Sequence, residues 1–231
     1  MQPNPPAIRD AATVIVLRDR TTGPRVLMGQ RGASAAFMPN KFVFPGGAVD
    51  REDAEVPMAA PLSPLCATRL REDSARDLSA ALPAAAVREL WEETGLTLGV
   101  PGSWPGPTPQ AWHGFADRGL LPTAAPLQFV FRAITPPGRP RRFDARFFLL
   151  DAGAIAGDLD DFSAAEDELS HLQWIPLDEV RRFDLPFITE VVLAEVAART
   201  GDPRPPASVP FFRNDDEESL FLRIKGHPLT D

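Results

Sequence analysis

Nine consecutive residues, Arg88-Glu89-Leu90-Trp91-Glu92-Glu93-Thr94-Gly95-Leu96, combine a helical pattern with three glutamates. At about 100° of rotation per residue, one face of this predicted helix is apolar and carries Val87, Leu90, Trp91 and Thr94. The three glutamates lie on the opposite face, at spacings of i, i+3 and i+4. Pro83 fits the first turn of the helix, and Gly95 is expected to end it in a left-handed conformation. The pattern predicts a helix over 83–94 that docks on a sheet.

Three carboxylates on one helical face repel each other unless a positive charge compensates them. Arg88, four residues before Glu92, is placed to neutralise part of this charge. A divalent cation would neutralise the rest, because Mg²⁺ is held by carboxylates, waters and substrate phosphates. The alternative is an acidic helix face that is simply solvated, as most runs of charge are. The helix alone leaves both interpretations open.

The composition of the 231-residue chain sets limits on its function. A net charge of −8 argues against nucleic-acid binding, which needs a basic surface. Cys66 is the only cysteine, so an intramolecular disulfide is excluded and a reducing, cytoplasmic location is expected. The N-terminal residues lack the basic start and apolar run of a signal peptide. Because no stretch approaches the ~20 apolar residues of a membrane helix, no membrane partner is expected.

The remaining pattern of apolar residues predicts a mixture of strands and helices. Residues 11–17 and 25–29 form two apolar runs that predict a β-hairpin. Further strands are predicted over 42–44, 128–135, 146–150 and 172–176, and helices within 65–82 and over 188–200. Three irregular segments are expected, namely a sharp turn at 45–47, a proline-rich loop over 99–126, and a loosely attached tail over 201–231 with one strand near 220–222. Without a regular βαβ rhythm, the expected fold class is α+β, with a mixed sheet covered by helices.

The glutamate helix resembles the second half of the signature of the Nudix family, which reads Arg-Glu-apolar-any-Glu-Glu-any-Gly-apolar. Residues 88–96 match every defined position. The first half of the signature is a glycine, five residues, a glutamate and seven residues. It is similar to the stretch that begins at Phe44-Pro45-Gly46-Gly47, and counting from Gly47 places Asp53 at the glutamate position. Between Asp53 and Arg88 lie 34 residues where the signature has seven.

One branch of the family, the coenzyme A diphosphatases, carries a long insertion at this point, and this chain resembles that branch. Other stretches that look like this branch are 37–40, 135–136 and 142–148. Residues 174–179 look like the late strand-to-helix turn that is common in Nudix domains. The resemblance covers about residues 8–200. It implies one Nudix domain over 1–231, with 54–82 as an insertion within the signature and 201–231 as a C-terminal extension. The implied fold is the Nudix α/β/α sandwich with a mixed central sheet.

The resemblance also implies a set of metal-binding residues for Mg²⁺ or Mn²⁺. Three glutamates match the family's metal ligands, namely Glu89, Glu92 and Glu93. Gly47 would lend a backbone carbonyl to the metal, and Arg88 would orient the glutamates through a salt bridge. Asp53 would be a further ligand, with Asp50 or Glu52 as alternatives.

The implied reaction is attack by a metal-activated water on a phosphorus of a nucleoside diphosphate linked to a second group. A general base must take the proton from this water. Glu89 is one candidate, and the loop Glu166-Asp167-Glu168 supplies others, of which Glu168 is preferred. The expected catalytic residues are therefore Glu89, Glu93, Arg88 and Glu168. The alternative for Glu168 is a solvated loop carboxylate.

The expected substrate is coenzyme A or an acyl-CoA, because of the insertion. Coenzyme A Nudix enzymes often carry two arginines and a glycine upstream of Phe-Pro-Gly-Gly; here Arg31 fits the first arginine, whereas Ala36 and Asn40 occupy the other positions. Since arginines bind phosphates in a bidentate manner, Arg31, Arg142 and Arg146 are the predicted substrate-binding residues. The alternative for the cluster over 139–142 is an exposed hairpin tip.

Two kinds of alternative function follow from the same resemblance. The first keeps the chemistry but changes the nucleotide-type substrate to ADP-ribose, a nucleotide sugar or a dinucleoside polyphosphate. The second is a Nudix domain that binds a ligand as a sensor without catalysis; such domains commonly lose the metal-binding glutamates, which are all present here. A homodimer that pairs through residues 54–82 is a further option.

Overall fold

Strand β1, Ile8–Arg18, runs through the middle of the molecule and contributes side chains to two separate cores. In the computed structural model, which describes residues 7–214 and 218–226, Val14 and Val16 lie in one buried cluster and Ile15 and Leu17 in the other. This alternation follows from the two-residue period of an extended chain. The prediction about a signal peptide concerns N-terminal residues of which 1–6 lie outside the described ranges.

The strands surround β1 in a mixed sheet. In chain order after β1 they are β2 (Arg25–Arg31), β3 (Phe42–Val43), β4 (Gly46–Ala48), β5 (Gly99–Pro101), β6 (Leu120–Pro122), β7 (Gln128–Ile134), β8 (Arg142–Asp151), β9 (Leu169–Pro176), β10 (Val209–Asn214) and β11 (Ser219–Ile224). The main sheet has the order β11-β10-β7-β8-β1-β2-β3, with β4 paired to β1 and β9 paired to β2. The pairs β1–β8 and β7–β10 are parallel and the others antiparallel. The predicted hairpin of β1 and β2 is confirmed.

Helices cover both faces of this sheet. They are α1 (Pro64–Arg71), α2 (Ala81–Thr94), α3 (His113–Asp117) and α4 (Phe187–Ala197). The first two pack into the cluster that contains Val14, and α4 packs Val192 and Val196 into the cluster that contains Ile15. The predicted α/β/α sandwich is confirmed. Within 7–214 and 218–226, no helix combines the length and hydrophobicity that crossing a bilayer requires.

Helix α2 begins and ends close to the predicted positions. Pro83 lies in its first turn, and the helix stops at Gly95, whose φ is +73° and whose N–H donates to the Trp91 carbonyl at 2.7 Å. Glycine adopts this left-handed conformation without the steric cost that a side chain brings. The apolar residues Val87 and Leu90 are fully buried against the sheet.

Two segments were wrongly predicted to be irregular. Residues 99–126 form a small two-stranded sheet, β5 with β6, and the helix α3. Trp112 and Phe115 anchor this segment in the core, where the ring centroid of Phe115 lies 5.8 Å from that of Trp91. The turn expected at 45–47 is also corrected, because Gly46 and Gly47 lie in strand β4 and pair with β1.

The described parts of the C-terminal segment, 201–214 and 218–226, do not form the loosely attached tail that the sequence predicted. The two strands of this segment extend the main sheet, with β10 parallel to β7, and Val209 and Phe211 are buried in the same cluster as α2. Helix α1 secures this hairpin through Arg69, which donates to the carbonyl oxygens of Ala207 at 2.8 Å and Lys225 at 3.4 Å. The proline-rich composition of 202–210 hid this packing from the sequence pattern.

Replacing Phe211 with alanine tests how firmly the C-terminal hairpin is attached. Phe211 is 1% exposed and lies beneath the Arg132 guanidinium at 4.2 Å from the ring centroid. We expect Phe211→Ala to lower the free energy of unfolding by about 3–5 kcal/mol, as loss of a buried phenyl ring does. Phe221→Ala, at a ring that is 56% exposed, is the control and should cost about 1 kcal/mol or less. Equal midpoints of thermal unfolding for the two variants would support the loosely attached tail instead.

Candidate active site

Two of the three glutamates of α2 are buried rather than solvated. Glu93 is 2% exposed and Glu89 is 8% exposed, while Glu92 is partly exposed. Glu89 and Glu93 lie against the backbone of β4. A carboxylate is costly to bury unless it is compensated. The interpretation of this face as an ordinary acidic surface is therefore wrong for Glu89 and Glu93.

Arg88 is the central cation of this site. Its Nη1 donates to Glu89 Oε1 and to Glu92 Oε2, both at 2.8 Å, so the predicted pairing of Arg88 with Glu92 is confirmed. Its Nη2 also donates to the Ala48 carbonyl of β4 at 3.0 Å. Burial alone would lower the pKa of Arg88, but the hydrogen bond to Asp53 and the charges of its carboxylate partners outweigh burial and raise it. Arg88 therefore stays charged and fixes two of the three glutamates.

Asp53 binds this arginine rather than projecting toward a metal position. Its two carboxylate oxygens accept from Arg88 Nε at 2.9 Å and Arg88 Nη2 at 3.0 Å, and Asp53 is 2% exposed. Its Oδ2 also accepts from the Asp50 N–H at 2.7 Å. Both oxygens of Asp53 are engaged in this buried bidentate pair, so the structure shows Asp53 as the partner of Arg88, and its assignment as a metal ligand stays a prediction. Asp50 and Glu52 are exposed, and Asp50 lies 3.6 Å from Arg88 Nη2.

Strand β4 lies directly against the other two carboxylates. The Gly46 N–H donates to Glu93 Oε2 at 2.7 Å, whereas Glu93 Oε1 is buried and has no hydrogen-bond partner among the described groups. A Cβ at Gly47 would lie 2.4 Å from Glu89 Oε1. A side chain at residue 47 would therefore force the Glu89 carboxylate to move. The role of Gly46 was missed from the sequence, although its place beside Gly47 was the available signal.

Burial and mutual repulsion perturb the glutamates electrostatically. Burial raises the pKa of Glu89 to about 7 against the attraction of Arg88, and it raises the pKa of Glu93 well above its ordinary value, with the Glu89 charge adding to the effect. The pKa of Glu92 is also raised, chiefly by burial. One arginine therefore does not balance the carboxylates, and the ionised site has an excess of negative charge.

The loop before β9 brings further carboxylates to the same place. The Glu166 N–H donates to the Glu92 carbonyl at 2.7 Å, and the charge of Glu168 contributes to the raised pKa values of Glu89 and Glu93. Glu168 Oε1 accepts from Arg31 Nη2 at 2.6 Å. Glu168 and Arg31 thus lie close enough to the glutamates to act on them electrostatically, and their predicted roles as general base and substrate-binding residue stay predictions.

The other two predicted substrate-binding arginines serve the fold instead. Arg142 is buried and donates to the carbonyl oxygens of Thr135 and Asn214, both at 3.0 Å. Arg146 is 1% exposed and pairs with Asp10 at 2.6 Å and with Asp144 at 3.1 Å. Their assignment to substrate binding is wrong, since neither guanidinium is open to a phosphate. The sequence pattern could not reveal the contacts with Asp10 on β1 and Asn214 on β10, because these partners are far away along the chain.

The donor set fits a hard divalent cation once its carboxylates are ionised. In the described part of the chain, no three acidic, histidine or cysteine side chains already converge at metal-binding distances, and Arg88 draws an oxygen of Glu89 and of Glu92 toward itself. Glu93 Oε1, however, is buried and unpartnered, and an unmet oxygen of this kind calls for a ligand. Carboxylate and carbonyl oxygens are the ligands that Mg²⁺ and Mn²⁺ prefer.

Gly47→Ala is expected to disturb the site but not the fold. The added methyl group would meet the carboxylate end of Glu89, which can swing away without moving the backbone. We expect the affinity for Mn²⁺, followed by electron paramagnetic resonance, to fall about 10–100-fold, the size of effect seen when a metal ligand loses its support. Gly106→Ala, where nothing lies within 4 Å of the added atom, is the control. An unchanged Mn²⁺ affinity in Gly47→Ala would contradict this contact.

The raised pKa of Glu89 predicts how metal-free stability depends on pH. Between the ordinary value of 4.5 and about 7, the folded protein retains a proton on Glu89 that the unfolded chain releases. Stability is therefore lost as pH rises through this window, by at most about 3 kcal/mol. Thermal unfolding in EDTA between pH 5 and pH 8 measures it, and Glu89→Gln should show a smaller loss. Parallel pH profiles for the two proteins would count against the buried ionisation.

Two known proteins are similar to this chain in sequence or in fold. No family model matches the chain. A curated relative, putative nudix hydrolase 7 of Caenorhabditis elegans, is 29% identical over 177 residues, which cover 71% of this chain and 50% of the relative, so the chain spans about half of that protein's length. The crystal structure of a NUDIX hydrolase from Alicyclobacillus acidocaldarius superposes with a TM-score of 0.66 at 29% identity and covers 84% of this chain and 93% of that one.

Proposed function

We propose that this chain, which has the Nudix fold and whose relatives support its place in the Nudix hydrolase family, is a metal-dependent pyrophosphohydrolase. It would cleave the diphosphate linkage of a nucleoside diphosphate joined to a second group. The observation that carries the proposal is the buried, under-compensated carboxylate cluster, above all the unpartnered Glu93 Oε1 beside the β4 backbone. A cluster of this kind is costly in the metal-free state and is stabilised by a cation.

The proposed metal ligands are the three glutamates and a backbone carbonyl. They are Glu89, Glu92, Glu93 and the carbonyl of Gly47. A bound Mg²⁺ or Mn²⁺ supplies charge for the phosphate oxygens and lowers the pKa of the attacking water. Asp53 and Arg88 support these ligands from behind, through the bidentate pair described above.

The chain's own residues perform the remaining tasks. Arg88 and the Ala48 carbonyl hold Glu89 and Glu92 at a fixed distance from β4. Glu168 is the proposed general base, because it lies beside the glutamates and its carboxylate is more exposed than theirs, at 55% of the side chain. Glu89 is the alternative base, since the pKa of about 7 that burial gives it suits proton transfer near neutral pH.

Coenzyme A or an acyl-CoA is the proposed substrate. Its support is the 34-residue separation of Asp53 from Arg88 together with Arg31. The separation does not disturb the site, because the ends of the segment still meet in the Asp53–Arg88 pair. Because the guanidinium groups of Arg142 and Arg146 are buried, Arg31 is the one of the three predicted substrate-binding arginines that lies near the glutamates and is partly exposed. ADP-ribose, nucleotide sugars and dinucleoside polyphosphates are the alternative substrates.

A substrate screen tests this proposal. The protein would be incubated with Mg²⁺ or Mn²⁺ and with coenzyme A, acetyl-CoA, ADP-ribose, a nucleotide sugar or a dinucleoside polyphosphate, and the nucleotide products separated by ion exchange. We expect coenzyme A to yield adenosine 3′,5′-bisphosphate and phosphopantetheine. Cleavage of ADP-ribose alone would overturn the substrate but keep the reaction. Binding without turnover of any of them would favour the sensor and overturn the enzyme.

A further inference from the structure

The ion pair between Arg31 and Glu168 joins the ends of two neighbouring strands. Arg31 is the last residue of β2, Glu168 immediately precedes β9, and the antiparallel register places Arg31 opposite Leu169. The backbone of Arg31 is held on both sides, since its N–H donates to the Lys41 carbonyl at 3.0 Å and its carbonyl accepts from the Asn40 N–H at 3.1 Å. The backbone position from which the Arg31 side chain extends is therefore fixed.

The register of these strands is also locked by packing. A Cβ at Gly29 would lie 2.9 Å from Leu169 and from Leu172, so β2 and β9 approach as closely as a glycine allows. Ser170 Oγ donates to the Gln30 carbonyl at 3.1 Å. A shift of β9 along β2 would break these contacts, so the distance between Arg31 and Glu168 is set by the sheet.

The two side chains differ in freedom. Arg31 is 18% exposed at its side chain, and its Nε is buried without a hydrogen-bond partner among the described groups. Glu168 is 55% exposed and could rotate into water. A surface ion pair seldom holds a carboxylate, but here the cation is mostly buried. The contact at 2.6 Å therefore determines where the Glu168 carboxylate points.

The loop that carries Glu168 lies against α2, where the Glu166 N–H donates to the Glu92 carbonyl at 2.7 Å. The negative charge of Glu168 acts on both Glu89 and Glu93, and the positive charge of Arg31 acts on Glu93. The pair thus stands next to the buried carboxylates, and Arg31 is already engaged by a protein group. This arrangement differs from the substrate-binding role that the sequence predicted for Arg31.

We propose that Arg31 is a positioning residue, whose guanidinium holds the Glu168 carboxylate beside Glu89 and Glu93 so that Glu168 can accept the proton of the attacking water. The inference rests on the proposed hydrolase function. As the water oxygen bonds to phosphorus, its proton passes to Glu168. The bond from phosphorus to the bridging oxygen breaks, and its electron pair leaves with the departing phosphate.

A double-mutant cycle with Arg31→Met, Glu168→Gln and both changes together tests this role. The kcat and KM would be measured for coenzyme A and, in parallel, ADP-ribose. Each single change should lower kcat about 100-fold, the lower range of general-base catalysis, with little change in KM. The double variant should be no slower than Glu168→Gln, because Arg31 acts through that carboxylate. Arg31→Lys, which keeps a charge within reach, should recover part of the loss.

Two further measurements separate this role from a structural one. Mn²⁺ affinity and the midpoint of thermal unfolding should stay at the wild-type values in Arg31→Met, as in the control Arg25→Met at the exposed start of the same strand. If Arg31→Met lowers the unfolding midpoint, two results still test the positioning role. Arg31→Lys should recover part of kcat, and the double variant should be no slower than Glu168→Gln.

Several outcomes would overturn the inference. A raised KM in Arg31→Met that adds to the effect of Glu168→Gln would mean that Arg31 binds substrate directly. A wild-type kcat in Arg31→Met would remove the role altogether while leaving the hydrolase intact. A wild-type protein that cleaves none of the substrates would instead overturn the proposed function, and this inference with it.

Discussion

Replacing Glu93 with glutamine is expected to lower kcat at least about 100-fold, more than the loss of a residue that only supports a metal ligand. Glutamine keeps the size of the side chain and an oxygen that can accept from the Gly46 N–H. It removes the negative charge that a cation requires from a buried ligand. The rate would be followed by release of nucleotide product at saturating Mg²⁺.

The same variant should retain its fold. Because burial raises the pKa of Glu93 well above its ordinary value, the folded state binds this proton more tightly than the unfolded chain. Removing the ionisable group therefore stabilises the metal-free protein at pH 8, where ionisation in the wild type is most costly. Unfolding in EDTA should show an equal or higher midpoint for Glu93→Gln, and added Mg²⁺ should raise that midpoint less than in the wild type.

Glu190→Gln is the matched control, since Glu190 is an exposed residue on α4. Its kcat and unfolding midpoint should equal those of the wild type. A wild-type kcat in Glu93→Gln would remove the central claim about the site. A lost kcat with a strongly lowered midpoint would mean that Glu93 serves the fold rather than the reaction.

A large effect on stability is also expected from Arg88→Met. This change leaves Asp53 and Glu89 buried without their cation, and breaking a buried ion pair by removing one partner costs about 3–5 kcal/mol. For a chain of this size each kcal/mol corresponds to about 2–4 °C, so the midpoint should fall by roughly 6–20 °C. Thermal unfolding followed by circular dichroism at pH 7.5 in EDTA measures the fall.

Arg182→Met provides the comparison for Arg88→Met. Arg182 pairs with Glu179 at 3.4 Å, but both side chains are exposed, and such pairs contribute about 0–1 kcal/mol. A fall in Arg88→Met no larger than in Arg182→Met would show that the buried network does not hold α2 on β4. A large fall that Asp53→Asn reproduces in part would support the Asp53–Arg88 pair as its main component.

Local sequence was sufficient to predict α2 and its two faces. The 3.6-residue period places the three glutamates opposite Leu90, and the left-handed Gly95 follows from the stop of that period. Alternating and β-branched runs likewise predicted β1 and β2. The short elements β5, β6 and α3 were not predicted. They contain three to five residues each, which is too few to show a period of apolar residues among prolines.

The prediction of the functional site also depended on whether a feature is set by neighbouring residues or by distant ones. The spacing of Glu89, Glu92 and Glu93 is a property of neighbouring residues, so the sequence by itself determined that carboxylates would converge on one helical face. Whether those carboxylates are solvated or buried depended on β4, which approaches α2 only in the folded chain. The tertiary structure decided that Glu89 and Glu93 are buried and that Glu92 is partly exposed.

The partners of the charged residues were decided only by the tertiary structure. Asp53 meets Arg88 across 35 residues, and Arg31 meets Glu168 across 137. Arg146 and Arg31 are both arginines that the sequence offers for phosphate binding. In the folded chain, however, Arg146 is paired with Asp10 on β1 and with Asp144 on its own strand, β8. The sequence determines which charges the chain carries and how they are spaced along each element. The packing of distant elements determines which of those charges are already paired, because a pair forms only where folding brings the two groups within a few ångströms.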